Sequence, residues 1–142
     1  MTPKERARRS AEAMWAQDGA SRWLGMRIDE VDEGMAVLSL SVEPHHCNGH
    51  GICHGGITFS LADSAFAFAC NSRNQSTVAQ TNTITYTAPA RLGDRLTATA
   101  REVSLTGRSG IYDVSVTARD GRTVAEMRGL SRAIRGHLFE ER

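Results

Sequence analysis

The sequence has few of the features that mark membrane, secreted or nucleic-acid-binding proteins. None of its apolar runs approaches the roughly 20 residues that a membrane-spanning helix needs. The net charge of +1 provides no overall field that would attract nucleic acid or an anionic membrane. The three cysteines are odd in number, and no apolar stretch follows the charged residues 1–9, unlike in a secretory signal. We therefore expect a cytoplasmic protein with reduced thiols that binds neither nucleic acid nor membrane.

What the chain does contain fits one folded domain spanning residues 1–142. Hydrophobic residues make up 40% of it, enough to bury a core without metal or disulfide staples. A first helix is expected within residues 1–19, because Pro3 suits a first turn and Gly19 suits a helix end. A second helix, residues 57–72, is apolar nearly all round, which predicts a buried central helix.

The remaining segments predict β-strands. Residues 26–42 are broken by the turn Asp32-Glu33-Gly34 and predict two antiparallel strands. After the central helix, alternating or β-rich segments follow at residues 76–87, 94–106, 110–118 and 122–135. Short connections favour antiparallel pairing. The order predicts an α+β fold in which an antiparallel sheet wraps around one long helix.

A glycine-rich loop leads into the central helix. It reads His45-His46-Cys47-Asn48-Gly49-His50-Gly51-Ile52-Cys53-His54-Gly55-Gly56. Glycines allow close approach of the backbone to a ligand, and the unpaired N–H groups of a helix start carry partial positive charge. Such a donor would stabilise a carbonyl oxygen that gains negative charge, typically by roughly 3 kcal/mol.

Asp63 lies two turns into the apolar helix, where an unpaired carboxylate would cost several kcal/mol. One interpretation is a buried acid that a nearby hydroxyl or amide satisfies. The other is a catalytic carboxylate that faces a partner subunit. A metal site is disfavoured, because the loop has no Cys-x2-Cys pair and no second ligand pair follows it; the possible ligands are His45, His46, Cys47, His50, Cys53 and His54.

Loop and helix together read Asn48-Gly49-His50-Gly51-x-x-His54-Gly55-Gly56 and Phe59-x-Leu61-Ala62-Asp63-x-Ala65-Phe66-Ala67-x-Ala69-x-Asn71-Ser72. This long pattern closely resembles the PaaI-type phenylacetate-pathway thioesterases of the hotdog superfamily. The resemblance covers roughly residues 20–135 and continues through Tyr86, Gly93-Asp94-x-Leu96-Thr97-Ala98, Gly110-x-Tyr112-Asp113 and Arg128-Gly129-x-Ser131. It implies a hotdog fold and hydrolysis of an aryl-acetyl-CoA thioester, of the phenylacetyl-CoA or hydroxyphenylacetyl-CoA type.

The resemblance also implies roles for individual residues. The Gly55 N–H would polarise the thioester carbonyl, and Asp63 would act as nucleophile or general base. Asn48 would position the thioester or the lytic water, His54 would border the oxyanion site, and Thr81 would orient water or the carboxylate. Family active sites form between two subunits, and dimers pair into homotetramers. No metal or redox cofactor is implied, since coenzyme A is part of the substrate.

The coenzyme A end of the substrate is expected along a surface groove, with contacts from Gly56, Arg91, Arg108, Ser109, Gly110 and Arg135. Candidates for the acyl pocket are Met26, Phe59, Leu61 and Phe66, although core packing also explains most of them. Two other functions stay open at this point. One is an acyl-thioester hydratase or dehydratase of the same fold using His50 with Asp63, and the other is a non-catalytic acyl-CoA sensor.

Overall fold

The computed structural model describes residues 1–141. Its helices are α1 (Pro3–Gln17), α2 (Gly19–Leu24) and α3 (Gly55–Cys70), and its strands are β1 (Arg27–Asp32), β2 (Met35–Ser41), β3 (Thr77–Tyr86), β4 (Arg95–Thr106), β5 (Ser109–Ala118) and β6 (Thr123–Ala133). A short 3-10 turn, Pro44–His46, precedes the glycine-rich loop. Within the described residues, no helix combines the length and apolarity that crossing a membrane requires.

All six strands form one antiparallel sheet in the order β1-β2-β4-β5-β6-β3. The chain leaves β2 through α3 and returns at the opposite edge as β3, so α3 crosses the whole sheet. The α+β hotdog arrangement predicted from the sequence is confirmed. All six strand segments predicted from the sequence are present.

Helix α3 packs its apolar surface against the concave face of the sheet. Leu61, Ala65 and Phe66 are completely buried there among alternate residues of β2, β4 and β5. Gly129 on β6 makes room for this helix, because a Cβ at that position would lie 2.8 Å from the Phe66 ring. The buried central helix predicted from the sequence is therefore present.

Two helix boundaries differ from the sequence prediction. The central helix spans Gly55–Cys70 rather than 57–72, because His54 caps it and both glycines join its first turn. The helix predicted within residues 1–19 is present as α1, and it is followed by a short helix, α2, that the sequence did not predict. Gly19 begins α2 instead of ending a helix, since the Asp18 side chain accepts a hydrogen bond from Ser21 N–H and caps it.

Candidate active site

The first turn of α3 leaves one backbone N–H unpaired. His54 Nδ1 accepts the Gly56 N–H at 3.1 Å, and the His54 carbonyl accepts from Ile57 at 2.9 Å and from Thr58 at 3.3 Å. The Gly55 N–H has no acceptor within residues 1–141. The positive end of the helix is therefore available to a ligand through this single amide. It is the donor that the family resemblance assigns to the thioester carbonyl.

Tyr86 covers the start of α3 from the side of β3. Its hydroxyl donates to the Gly55 carbonyl at 2.8 Å, and a Cβ at Gly55 would lie 3.2 Å from its Cζ and hydroxyl oxygen. A cavity of about 400 Å³ opens beside this contact, lined by Asn48, Ile52, Cys53, Gly55, Thr58, Tyr86, Thr87, Ala88, Pro89, Ala90 and Val124. Sequence reasoning assigns Tyr86 no role beyond its place in the family pattern.

Asn48 enters the same cavity from the glycine-rich loop. Its Oδ1 accepts from the N–H groups of His50 at 2.9 Å and Ile52 at 3.3 Å, which fixes the side chain, and its Nδ2 donates to no atom of residues 1–141. Asn48 and Gly55 both line this cavity, and His54 directly precedes Gly55 in the chain. We call these three residues the amide half of the site.

Asp63 lies near the middle of α3, as the ninth of its sixteen residues. Its side chain is half-buried, and burial raises the pKa of the carboxyl, while a hydrogen bond from Asn82 Nδ2 at 3.0 Å lowers it in part. Eight helical residues separate Asp63 from Gly55, a distance of about 12 Å along the axis. The carboxylate and the Gly55 amide therefore do not meet within one chain. We call Asp63 and Asn82 the carboxylate half.

Thr81 does not join Asp63 in this chain. It is exposed and pairs in register with the outward-facing Leu130, whereas Asn82 pairs with Gly129, on the face that meets α3. Successive residues of a strand point to opposite faces, so the inward position belongs to Asn82. Sequence reasoning missed Asn82, because one asparagine in a threonine-rich strand is not distinguishable from surface polarity.

The residues expected to bind the coenzyme A end do not form one cluster. Arg91 lies at the end of the sheet near the amide half, where it forms a bridge with Ile52 of the loop. Arg108 lies in the β4–β5 turn and Ser109 begins β5, and Arg135 follows β6, which pairs there with β5. Roughly 35 Å of β4 separates the two groups. A single groove could use both only if two chains contribute to it.

The two glycines in that set differ. Gly56 is exposed beside the free Gly55 amide. Gly110 is buried, and a Cβ there would lie 2.6 Å from Ser131 Oγ and 2.8 Å from the Tyr112 ring. Packing against these neighbours therefore explains the glycine at position 110, and a buried strand position is not one that a surface groove reaches.

The proposed acyl-pocket candidates are mostly core residues. Met26, Leu61 and Phe66 are buried in the monomer, and only Phe59 is partly exposed. Of the four, Phe59 alone could contact a bound acyl group without a change in the core.

The histidines and cysteines of the loop do not converge on one point. His46 is buried, with Nε2 on the Leu24 carbonyl at 2.8 Å and Nδ1 accepting the Glu43 N–H at 3.0 Å, so both ring nitrogens are used structurally. Between residues 1 and 141 no three side chains of the metal-ligating types come together. The loop instead supplies the shape and the caps of the α3 entrance.

Comparison with known proteins gives consistent matches. The family described as the thioesterase superfamily matches residues 50–125. The acyl-coenzyme A thioesterase PaaI of Escherichia coli (strain K12) is 42% identical over 96% of this chain and 97% of its own length.

Two solved structures are also similar. The structure of the E. coli PaaI protein from the phenylacetic acid degradation operon superposes with a TM-score of 0.94, at 41% identity, over 96% of this chain and 99% of that one. A hypothetical thioesterase from Streptococcus pneumoniae, solved with coenzyme A, superposes with a TM-score of 0.76, at 25% identity, over 80% of this chain and 88% of that one.

Proposed function

Because the chain belongs to the thioesterase superfamily and is an acyl-CoA thioesterase, we propose that it hydrolyses aryl-acetyl-CoA esters, with Asp63 as nucleophile or general base. The observation that carries the catalytic assignment is the Gly55 N–H at the start of α3, which meets no acceptor in the part of the chain that the structure describes. The aryl-acetyl preference is supported by the similarity to the E. coli PaaI protein of the phenylacetic acid degradation operon.

In this proposal the thioester carbonyl oxygen accepts the Gly55 N–H as it gains negative charge. Asp63 either attacks the carbonyl carbon itself or removes a proton from the attacking water. In both routes the carbon–sulfur bond breaks, the thiolate leaves and takes up a proton as coenzyme A, and water supplies the oxygen of the free acid. Asn48 Nδ2, the free donor in the cavity, positions the thioester or the water.

The proposal requires two subunits for each site, in a cytoplasmic homotetramer built as a dimer of dimers. The distance of about 12 Å along the helix between Gly55 and Asp63 supports this, because the amide and the carboxylate of one chain are too far apart to meet. The proposal is supported also by β3, a ten-residue strand at the sheet edge that pairs only with β6 within the described chain. An open edge of this length is suited to pairing with another chain. The second subunit would bring its carboxylate half to the amide half of the first.

A proline at position 55 tests the role of the amide by deleting one hydrogen. Gly55 is the first helical residue of α3, where proline is tolerated, and His54 has φ −58° and ψ 135°, values allowed before proline. Gly55→Ala is the matched control, since it adds a Cβ against Tyr86 but keeps the N–H. We expect Gly55→Pro to lower kcat for thiol release about 10²–10³-fold relative to Gly55→Ala. Equal rates in the two folded variants would refute the amide's role.

The carboxylate and the substrate class are tested together. Asp63→Asn should lose nearly all thiol release, and retained activity would refute Asp63 as the catalyst. Wild-type kcat/KM on a panel of aryl-acetyl and straight-chain acyl-CoA esters should favour the aryl group. A preference for straight chains would refute the aryl-acetyl proposal while leaving the thioesterase intact. Incubation with an enoyl-CoA tests the hydratase alternative. We expect no hydrated acyl-CoA, and its accumulation without thiol release would favour a hydratase.

A further inference from the structure

Asn82 is the one residue in the described chain that hydrogen-bonds the Asp63 carboxylate, with Nδ2 3.0 Å from Oδ1. A carboxylate accepts and an amide NH2 donates, so Asn82 presents its nitrogen edge to Asp63. At its other end, Asn82 Oδ1 is buried and meets no donor within residues 1–141. The bond to Asp63 is therefore the contact of this chain that sets the orientation of the Asn82 amide.

The spacing of Asn82 and Tyr86 along β3 matches the spacing of their partners, Asp63 and Gly55, along α3. Tyr86 on β3 donates to Gly55, and Asn82 on the same strand face donates to Asp63. Four strand residues span about 13 Å, and the eight helical residues from Gly55 to Asp63 span about 12 Å. Strand β3 therefore runs alongside α3 for this length and contacts both halves of the site at a spacing set by the backbone.

We propose that Asn82 is a positioning residue for Asp63: it holds Oδ1 and leaves Oδ2 directed at the thioester carbonyl or the lytic water. This inference rests on the proposed function and adds a residue that the family pattern quoted above does not contain. A carboxylate held by one donor on one oxygen cannot turn freely about its terminal torsion, so the second oxygen keeps one direction. The same bond favours the ionised form, which both the nucleophile and the general base require.

Removal of this bond has consequences that a purely structural role would not have. Without the Asn82 donor, burial alone acts on Asp63, so the pKa of the carboxyl rises further above its ordinary value. The acid limb of the kcat/KM profile should then move to higher pH. We expect kcat to fall about 10- to 100-fold, the value typical of a hydrogen bond to a charged group, with KM nearly unchanged.

The experiment compares thiol release over pH 4–9 for wild type, Asn82→Ala and Asn82→Asp. Asn82→Asp keeps the size of the side chain, removes the donor and adds a second carboxylate, so its acid limb should move further than that of Asn82→Ala. Thr83→Ala, on the outer face of the same strand, is the control and should match wild type. Carbon-13 NMR of the Asp63 carboxyl should show the same order of pKa values without reference to turnover.

The outcomes separate this inference from the proposed function. If Asp63→Asn is inactive while both Asn82 variants keep the wild-type acid limb and kcat, the positioning role is refuted and the thioesterase proposal stands. A fall in both kcat and thermal stability, with the acid limb unchanged, would also refute the positioning role, since a residue that only supports the fold would give that result. A wild-type protein that releases no thiol from any CoA ester would refute the proposed function and this inference with it.

Discussion

Two inactive variants should restore activity when they are combined, if each site draws on two chains. Asp63→Asn removes the carboxylate half from a chain and leaves its amide half intact, and Gly55→Pro does the reverse. Roughly 12 Å of helix separates the two positions, so neither chain could complete a site by a small side-chain movement. A mixed pair holds one site with both halves intact and one site with both defective.

The magnitude follows from random pairing. Equal amounts of the two chains give mixed pairs in half of all dimers, and one of the two sites in each is intact, so about a quarter of wild-type activity should return in a two-fold symmetric dimer. Each parent alone should show about one hundredth of wild-type activity or less, because loss of an oxyanion donor or a catalytic base typically costs roughly 10²-fold or more. The expected gain on mixing is thus more than tenfold.

The assay is thiol release after co-expression of the two variants with different affinity tags. The unfractionated mixture should show the quarter, tandem purification enriches the mixed oligomers and should raise the recovered activity towards one half, and native mass spectrometry confirms their composition. Two differently tagged Asp63→Asn chains form the control and should stay inactive. Mixed oligomers that are no more active than their parents would show that Asp63 and Gly55 do not act across a subunit boundary, and would refute the shared site.

Three further predictions concern stability. Asp63→Asn should raise the Tm at pH 7, because burial raises the pKa of Asp63 and its ionisation therefore destabilises the folded state. The gain in Tm should fade as the pH falls toward 3.8, the ordinary pKa of an aspartate. An unchanged Tm at pH 7 would contradict this. Gly129→Ala should lower the free energy of unfolding by about 1–3 kcal/mol in urea titrations, because its Cβ would overlap the Phe66 ring; a neutral result would mean that the ring moves aside. Glu102→Gln should lower the free energy of unfolding by about 1–2 kcal/mol at pH 7, since the Arg73 hydrogen bond lowers the pKa of Glu102. The difference in stability between variant and wild type should shrink as the pH falls below 4.5. A loss of stability that does not depend on pH would contradict this.

Much of the fold was predictable from the sequence because its signals are local. The turn at Gly34 has φ +71°, a conformation that glycine adopts without strain, and it separates β1 from β2 as predicted. The nearly uniform apolarity of α3 predicted a helix covered by a sheet. The start of α3 was placed two residues late, because histidine is not among the preferred N-cap residues and its cap became visible only as the His54–Gly56 contact.

The candidate site was predictable in its amide half and incomplete in its carboxylate half. Asn48, His54 and Gly55 lie within eight residues, so a sequence pattern can contain all of them. Asn82 contacts Asp63 across nineteen residues and through a strand whose inward face is set by its register with β6. The β-bulge between Ala79 and Thr81 lies just before it. No local pattern records which residue of such a strand faces inward.

The matched contacts of β3 with the start and the middle of α3 limit how this scaffold can diversify. Lengthening or shortening the strand by one residue between Asn82 and Tyr86 would turn one of the two side chains outward and break its contact with the helix. Insertions and deletions in this part of β3 would therefore disrupt the site, and the distance between carboxylate and amide in each protomer should stay constant among related proteins. New acyl preferences in proteins built this way should therefore arise by replacing side chains that surround a geometry of constant spacing.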